Sequence, residues 1–226
     1  EHFRMTGGEP IMDKNTYRVF DYIINFPNPE LHIDVTSNFS VEPELFEKYL
    51  DYVKRLCRTN IEHFMQYVSM DSGLANQAQY IRHGMSAERV VTNVNRYLTE
   101  APNRNSLTFI ITMNNLSVSG FRDYMEWILQ LRKSYSSTYQ RVWFDTPVLR
   151  TPTWQSLQLL PESYVDQLEQ LWAWMIRQAE TEEKRFKGFK DYEIARLDRD
   201  IVWMRAGQQL PVEYIQQNKA DFYRFF

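Results

Sequence analysis

Glu1–Phe20 reads EHFRMTGGEPIMDKNTYRVF, in the order short apolar run, paired glycines, acid, proline, helical pattern. Glu1 to Thr6 reads as a strand. Gly7 and Gly8 then remove both Cβ atoms where the backbone must turn, so the chain is free to take a positive φ or to approach a ligand closely. Glu9 can serve as a cap or as a hand for a ligand, and Pro10 suits a helix start. In the helix that follows, Tyr17, Phe20, Ile23 and Ile24 share one apolar face, and Pro27 with Pro29 ends the element.

The same strand-then-helix order recurs along the chain. Further strand-like runs are Leu31 to Ser37, Glu62 to Ser69, Leu107 to Met113 and Arg141 to Val148. A helix opening at Val41-Glu42-Pro43-Glu44 carries the stripe Leu45, Tyr49, Tyr52, Val53, Leu56, with proline and acids in its first turn as the dipole favours. Another begins near Ser86 with Val90, Val91, Val94 and Leu98, and a third runs from Gly120 with Phe121, Tyr124, Trp127, Ile128 and Leu131. Strand starts spaced by about 30 to 45 residues suit parallel strands joined by helical crossovers. The fold class is therefore α/β, and periodicity leaves open a curved partial barrel or an open doubly wound sheet. From Pro161 onward the pattern is helical, with Leu168, Leu171, Trp172, Met175 and Ile176 on one face. Thr181 to Lys190 reads as a charged linker, followed by helical segments over about Tyr192 to Met204 and Pro211 to Phe226. We expect a sheet-containing unit over 1–160 and a helical extension over 161–226.

With 226 residues, 43% hydrophobic and 24% charged, the chain suits one sizeable core. A net charge of -3 gives no bulk attraction to nucleic acid or anionic lipid, and no run approaches the roughly 20 apolar residues of a membrane helix. We expect a cytoplasmic protein without nucleic-acid or membrane partners. The single Cys57 excludes an internal disulfide and a cysteine-rich metal site. Because residue 1 is Glu and a strand begins at once, we read the chain as a piece of a longer one, with a free edge on its first strand.

Parallel strands would gather their closing residues at one rim: Gly7, Gly8 and Glu9; Thr36, Ser37 and Asn38; Ser69 and Asp71; Asn114 and Asn115; Thr146. Such small polar groups suit a ligand with ammonium, hydroxyl or carboxylate groups, and Arg82 could fork onto a carboxylate. Each has a plainer reading beside it. Glu9 can cap a helix, Ser37 and Asn38 can form side-chain turns, Ser69 and Asp71 can cap the next element, and Arg82 can be a solvated charge. His2, His32, His63 and His83 show no ligand spacing.

Gly7-Gly8-Glu9-Pro10 after a strand, Thr36-Ser37-Asn38 ending the second and Tyr67-Val68-Ser69-Met70-Asp71 ending the third resemble radical S-adenosylmethionine enzymes, most closely the subgroup with a SPASM or Twitch extension. The resemblance covers about Phe3 to Leu160. It implies a partial (β/α)6 TIM-like barrel, here lacking its first strand and cluster loop, with a helical C-terminal extension leading toward a Twitch- or SPASM-like region. It also implies S-adenosylmethionine as cofactor. Gly7, Gly8, Glu9 and Pro10 match the motif that receives the methionyl amino group, and Ser37 and Asn38 match the strand end reaching ribose or carboxylate. Ser69, with Asp71 beside it, matches the family's strand-four serine. Arg82 stands where some members hold the methionyl carboxylate. Asn114 and the stretch from Phe144 to Val148 match segments along ribose and adenine. The C-x3-C-x2-C loop that holds the family's 4Fe–4S cluster is absent, so the cluster ligands would lie outside this chain. The resemblance then implies reductive cofactor cleavage and hydrogen abstraction in the intact protein only, with an electron donor and a substrate for which the relatives suggest a peptide. A barrel that lost the cluster loop and acts as a binding or scaffold domain is the alternative.

Overall fold

Each of the five runs read as strands pairs in parallel with the next one along the chain. The strands are β1 (His2–Met5), β2 (His32–Ser37), β3 (His63–Ser69), β4 (Ser106–Ile110) and β5 (Val142–Asp145), arranged in the order β1-β2-β3-β4-β5. The computed structural model describes residues 1–102 and 105–225, so the last residue of the helical segment expected over 211–226 lies outside the described residues. Register aligns His2 with His32 and His63, and Val35 with Gln66, Leu107 and Val142.

Side chains alternate along a strand, so this register sorts the sheet into two unlike faces. One holds Ile33, Val35, Phe64, Val68, Leu107, Phe109, Val142 and Phe144, all buried. The other carries His32, Asp34, Thr36, Met65, Tyr67, Ser69, Trp143 and Asp145, most of them half-exposed. Helices pack on the apolar face. Phe20 of α1 (Lys14–Asn25) meets Phe64 edge-on at 6.4 Å, Tyr49 of α2 (Pro43–Leu56) bonds Gln66, and Tyr124 and Trp127 of α5 (Phe121–Tyr135) stack near Phe109. Strands that follow one another in sequence order, with these helices on one side, have no reversal point. The doubly wound alternative needs such a reversal, and the strand order excludes it.

Helix starts follow their local chemistry. The Asp13 carboxylate accepts from Asn15 N at 2.8 Å ahead of α1, Ser86 Oγ accepts from Arg89 N ahead of α4 (Ala87–Glu100), and Pro43 occupies the first turn of α2. A short helix absent from the sequence reading, α3 (Ala75–Ile81), buries only Ala78 and so offers no stripe to detect.

The C-terminal helices α6 (Glu162–Arg177) and α7 (Asp191–Gly207) pack on each other, and α7 also on the turn at 157–159. The charged stretch between them is folded back rather than strung out. Ala179 and Phe189 form a parallel bridge, with Glu180 N to Phe189 O at 2.8 Å and Phe189 N to Gln178 O at 2.9 Å. Phe189 is fully buried between Phe144 and Trp174. Along β5, α7 presents Arg196 to Asp145 at 2.6 Å and Asp200 to Thr146. The last helix, α8 (Val212–Phe225), lies over the turns at 153–155 and 157–159 and buries Asn218 alone.

Candidate functional site

Because all the strands run the same way, the residues that close them share the carboxyl rim of the sheet. At the tip of β1 the backbone turns through Gly7 (φ +88°) and Gly8 (φ +58°). A Cβ on either would meet nothing within 4 Å, so conformation, not crowding, requires glycine, and the space before them is open. Glu9 is both cap and hand. Its Oε1 accepts from Ile11 N at 3.2 Å, capping the turn Pro10–Met12, and its Oε2 accepts from Asn38 N at 2.9 Å, joining the tips of β1 and β2. Pro10, the first residue of this turn, is buried. The Tyr17 hydroxyl donates to Ile11 O at 2.5 Å, and burial, then the nearby Glu9 charge, push its pKa up to about 12, so it stays a donor at neutral pH.

At the β2 tip the side chains serve the turn. Ser37 sits on the helix-covered face with Oγ accepting from Phe39 N at 2.9 Å, and Asn38 Oδ1 accepts from Ser40 N at 2.8 Å. These bonds support the left-handed Phe39 (φ +56°) and match the plainer sequence reading. Ser69 closes β3 on the half-exposed face, its hydroxyl with no hydrogen-bond partner among the described residues. Asp71 is buried and receives Arg82 Nε at 2.7 Å, Arg82 Nη2 at 3.2 Å and Thr112 N at 2.8 Å. The fork expected of Arg82 is thus made to a carboxylate of the protein itself. Asn114, also buried, spends its amide on Leu116 N and Thr112 O, both at 2.9 Å. The structure therefore brings Glu9 and Asn38 into contact between the tips of β1 and β2, and Asp71, just past the tip of β3, into contact with Arg82 at the end of α3.

Two arrangements escaped the sequence reading because their members are far apart in the chain. On the half-exposed face, Arg4 donates Nε and Nη2 to Asp34 Oδ2 at 3.0 and 2.9 Å and lies 5.1 Å from the Tyr67 ring centre. Beside β5, a cleft of about 390 Å³ is lined by Pro147, Val148, Arg150, Arg199, Asp200 and Trp203. Alternation within strands signals the first; nothing local signals the second.

The residues fit the two cofactor components unequally. Open space before the glycine turn and a carboxylate at its edge fit the ammonium end of S-adenosylmethionine. An iron–sulfur cluster is not fitted: Cys57 is a lone buried thiol, and no group of three His, Cys, Asp or Glu among the described residues could hold a metal ion. No helix among them is long and apolar enough to cross a membrane. Comparison with protein-family models, with curated proteins and with solved structures finds no match to this chain.

Proposed function

We propose that this chain is the S-adenosylmethionine-binding portion of a radical S-adenosylmethionine-type partial barrel, with the ligand at the carboxyl rim between β1 and β3. The observation that carries this reading is the left-handed Gly7-Gly8 turn, open in front, with the Glu9 carboxylate fixed beside it by two backbone N–H groups. Each Glu9 oxygen keeps acceptor capacity for an ammonium group. Ser69, whose hydroxyl has no hydrogen-bond partner among the described residues, is on this reading the group that meets a hydroxyl or carboxylate. Asp71 holds Arg82 by its Nε and one Nη2 hydrogen, leaving the two on Nη1 and the second on Nη2 as donors for the ligand. Ser37, Asn38 and Asn114 shape the rim through their turns. The bound cofactor would supply the group that abstracts hydrogen; the chain's own part is to bind, orient and exclude water. Cleavage belongs, on this proposal, to an intact cytoplasmic protein that brings its cluster ligands and electron donor, with a peptide as the substrate class.

A second reading, a binding or scaffold domain without catalysis, is favoured by one observation: Glu9 and Arg82 already hold partners inside the protein. Calorimetry separates the two. Saturable binding of S-adenosylmethionine that Glu9→Gln weakens supports the cofactor reading; no binding, in the chain and in the complete protein reconstituted anaerobically with iron and sulfide, leaves the scaffold.

A further inference from the structure

We propose that the cleft between the end of β5 and α7 is a second binding site, for a small organic anion with a flat or apolar body. Of the residues assigned above it shares only Pro147 and Val148, which lie within the stretch 144–148 compared with the ribose and adenine contacts, and the argument for it does not rest on the cofactor reading.

The cleft is built around one oriented guanidinium. Asp200, 1% exposed, accepts Arg199 Nε at 3.2 Å and Nη2 at 2.9 Å on a single oxygen, Oδ1. Its Oδ2 has only a long contact from Thr146 Oγ1 at 3.5 Å. Burial raises the Asp200 pKa, opposed by Arg199, which is the condition of a carboxylate that needs its cation. The Arg199 side chain itself is 61% exposed, so its remaining N–H groups face outward from a fixed base. Arg150, which also lines the cleft, has no ion-pair or hydrogen-bond partner among the described residues. Two guanidinium groups and one buried acid lining one cleft leave a net positive site, and arginine forks match carboxylate or phosphate oxygens. Trp203, Val148 and Pro147 supply the apolar wall against which a ring can lie. The volume, about 390 Å³, suits a ligand of single-ring size. Asp200 acts here as a positioning residue, since it holds Arg199 and is itself covered.

The test is titration of the purified chain with 3-phenylpropionate and phenyl phosphate, followed by calorimetry and by tryptophan fluorescence. Neutral 3-phenylpropanamide and inorganic phosphate serve as comparison probes. We expect saturable binding of at least one ring-bearing anion, weaker binding of inorganic phosphate and none of the amide; which anion binds tighter identifies carboxylate or phosphate as the recognised group. Arg150→Ala, at an exposed and unpartnered residue, should lower affinity about tenfold or more without changing the circular dichroism, and Arg150→Lys should recover part of it. Trp203→Phe should abolish the fluorescence response while retaining binding. Asp200→Asn should weaken the anion although it removes a negative charge from the cleft, an outcome that simple charge attraction would reverse. The proposal is overturned if neither anion saturates, if the amide binds equally well, or if Arg150→Ala leaves affinity unchanged.

Discussion

Arg132 of α5 and Glu193 of α7 form a two-pronged ion pair, Nη2 to Oε1 at 2.6 Å and Nη1 to Oε2 at 3.0 Å, with neither side chain reaching solvent. Arg132 also donates to Val142 O at 3.0 Å and Gly188 O at 2.7 Å, and Glu193 accepts from Lys190 N at 2.9 Å. The pair thus ties sheet, crossover helix and C-terminal helices at one point. Removing one member strands a buried charge, so Glu193→Ala should lower unfolding free energy by about 3–5 kcal/mol in urea titrations. The double replacement Arg132→Met with Glu193→Leu should be much less harmful than either charge removed alone. A single-variant cost below about 1 kcal/mol would show that the helices do not depend on this contact.

The glycine turn makes a sharper prediction, because space and conformation point in different directions there. Nothing crowds a Cβ at Gly8, yet an L-residue in the left-handed region costs roughly 1–2 kcal/mol. Gly8→Ala should lose about that much stability, and Gly8→Asn clearly less, since asparagine tolerates the region. Thermal unfolding of both variants checks the order; equal losses would mean that side-chain contact, not φ, governs the position.

Glu9 joins two strand tips through backbone donors, and its loss has two measurable parts. Glu9→Ala removes a cap and a crossing bond, for which about 1–2 kcal/mol of stability is expected. Glu9→Gln keeps an acceptor oxygen and should recover part of that loss. If the carboxylate also receives an ammonium group, Glu9→Gln weakens S-adenosylmethionine binding more than it lowers stability. Parallel losses in the two measurements would assign Glu9 to the turn alone.

Strands and their direction were readable because β-rich runs alternate with amphipathic helices, as in Tyr17 and Phe20 of α1 or Val90 and Val94 of α4, at spacings only parallel crossovers explain. The rim was readable for the same reason: parallel strands must end together. What Ser37, Asp71 and Arg82 bond was not, because a polar residue at a strand end satisfies a turn or a ligand with the same atoms. Thr181 to Lys190 misled for a related reason. Most of its charges are solvated, whereas its one fully buried apolar side chain, Phe189, belongs to no periodic stripe, and the bonds at Gly188 and Lys190 are made by backbone atoms that carry no sequence signal. The Arg199 and Asp200 cleft needs β5 brought to α7 across some fifty residues, which no local pattern encodes.

Glu100 gives a prediction in pH. At the end of α4 its carboxylate accepts Lys54 Nζ at 2.7 Å and Arg96 Nε at 2.9 Å, joining α4 to α2. The Lys54 bond first, against some desolvation, and then the Arg96 contact lower its pKa from the ordinary 4.5. The unfolded state therefore binds the proton more readily than the folded state. Stability from this group is fully present above pH 4.5 and is lost as pH falls through the lower folded value. The side chain is 28% exposed, so solvent screens the pairs and the contribution should be roughly 1 kcal/mol at neutral pH. Glu100→Gln should then unfold at lower urea than the parent at pH 7, and the two curves should converge once the parent's carboxylate is protonated. High salt should narrow the gap at pH 7 in the same way. A gap that persists unchanged through acid would show that packing of the glutamate stem, not its charge, links the two helices.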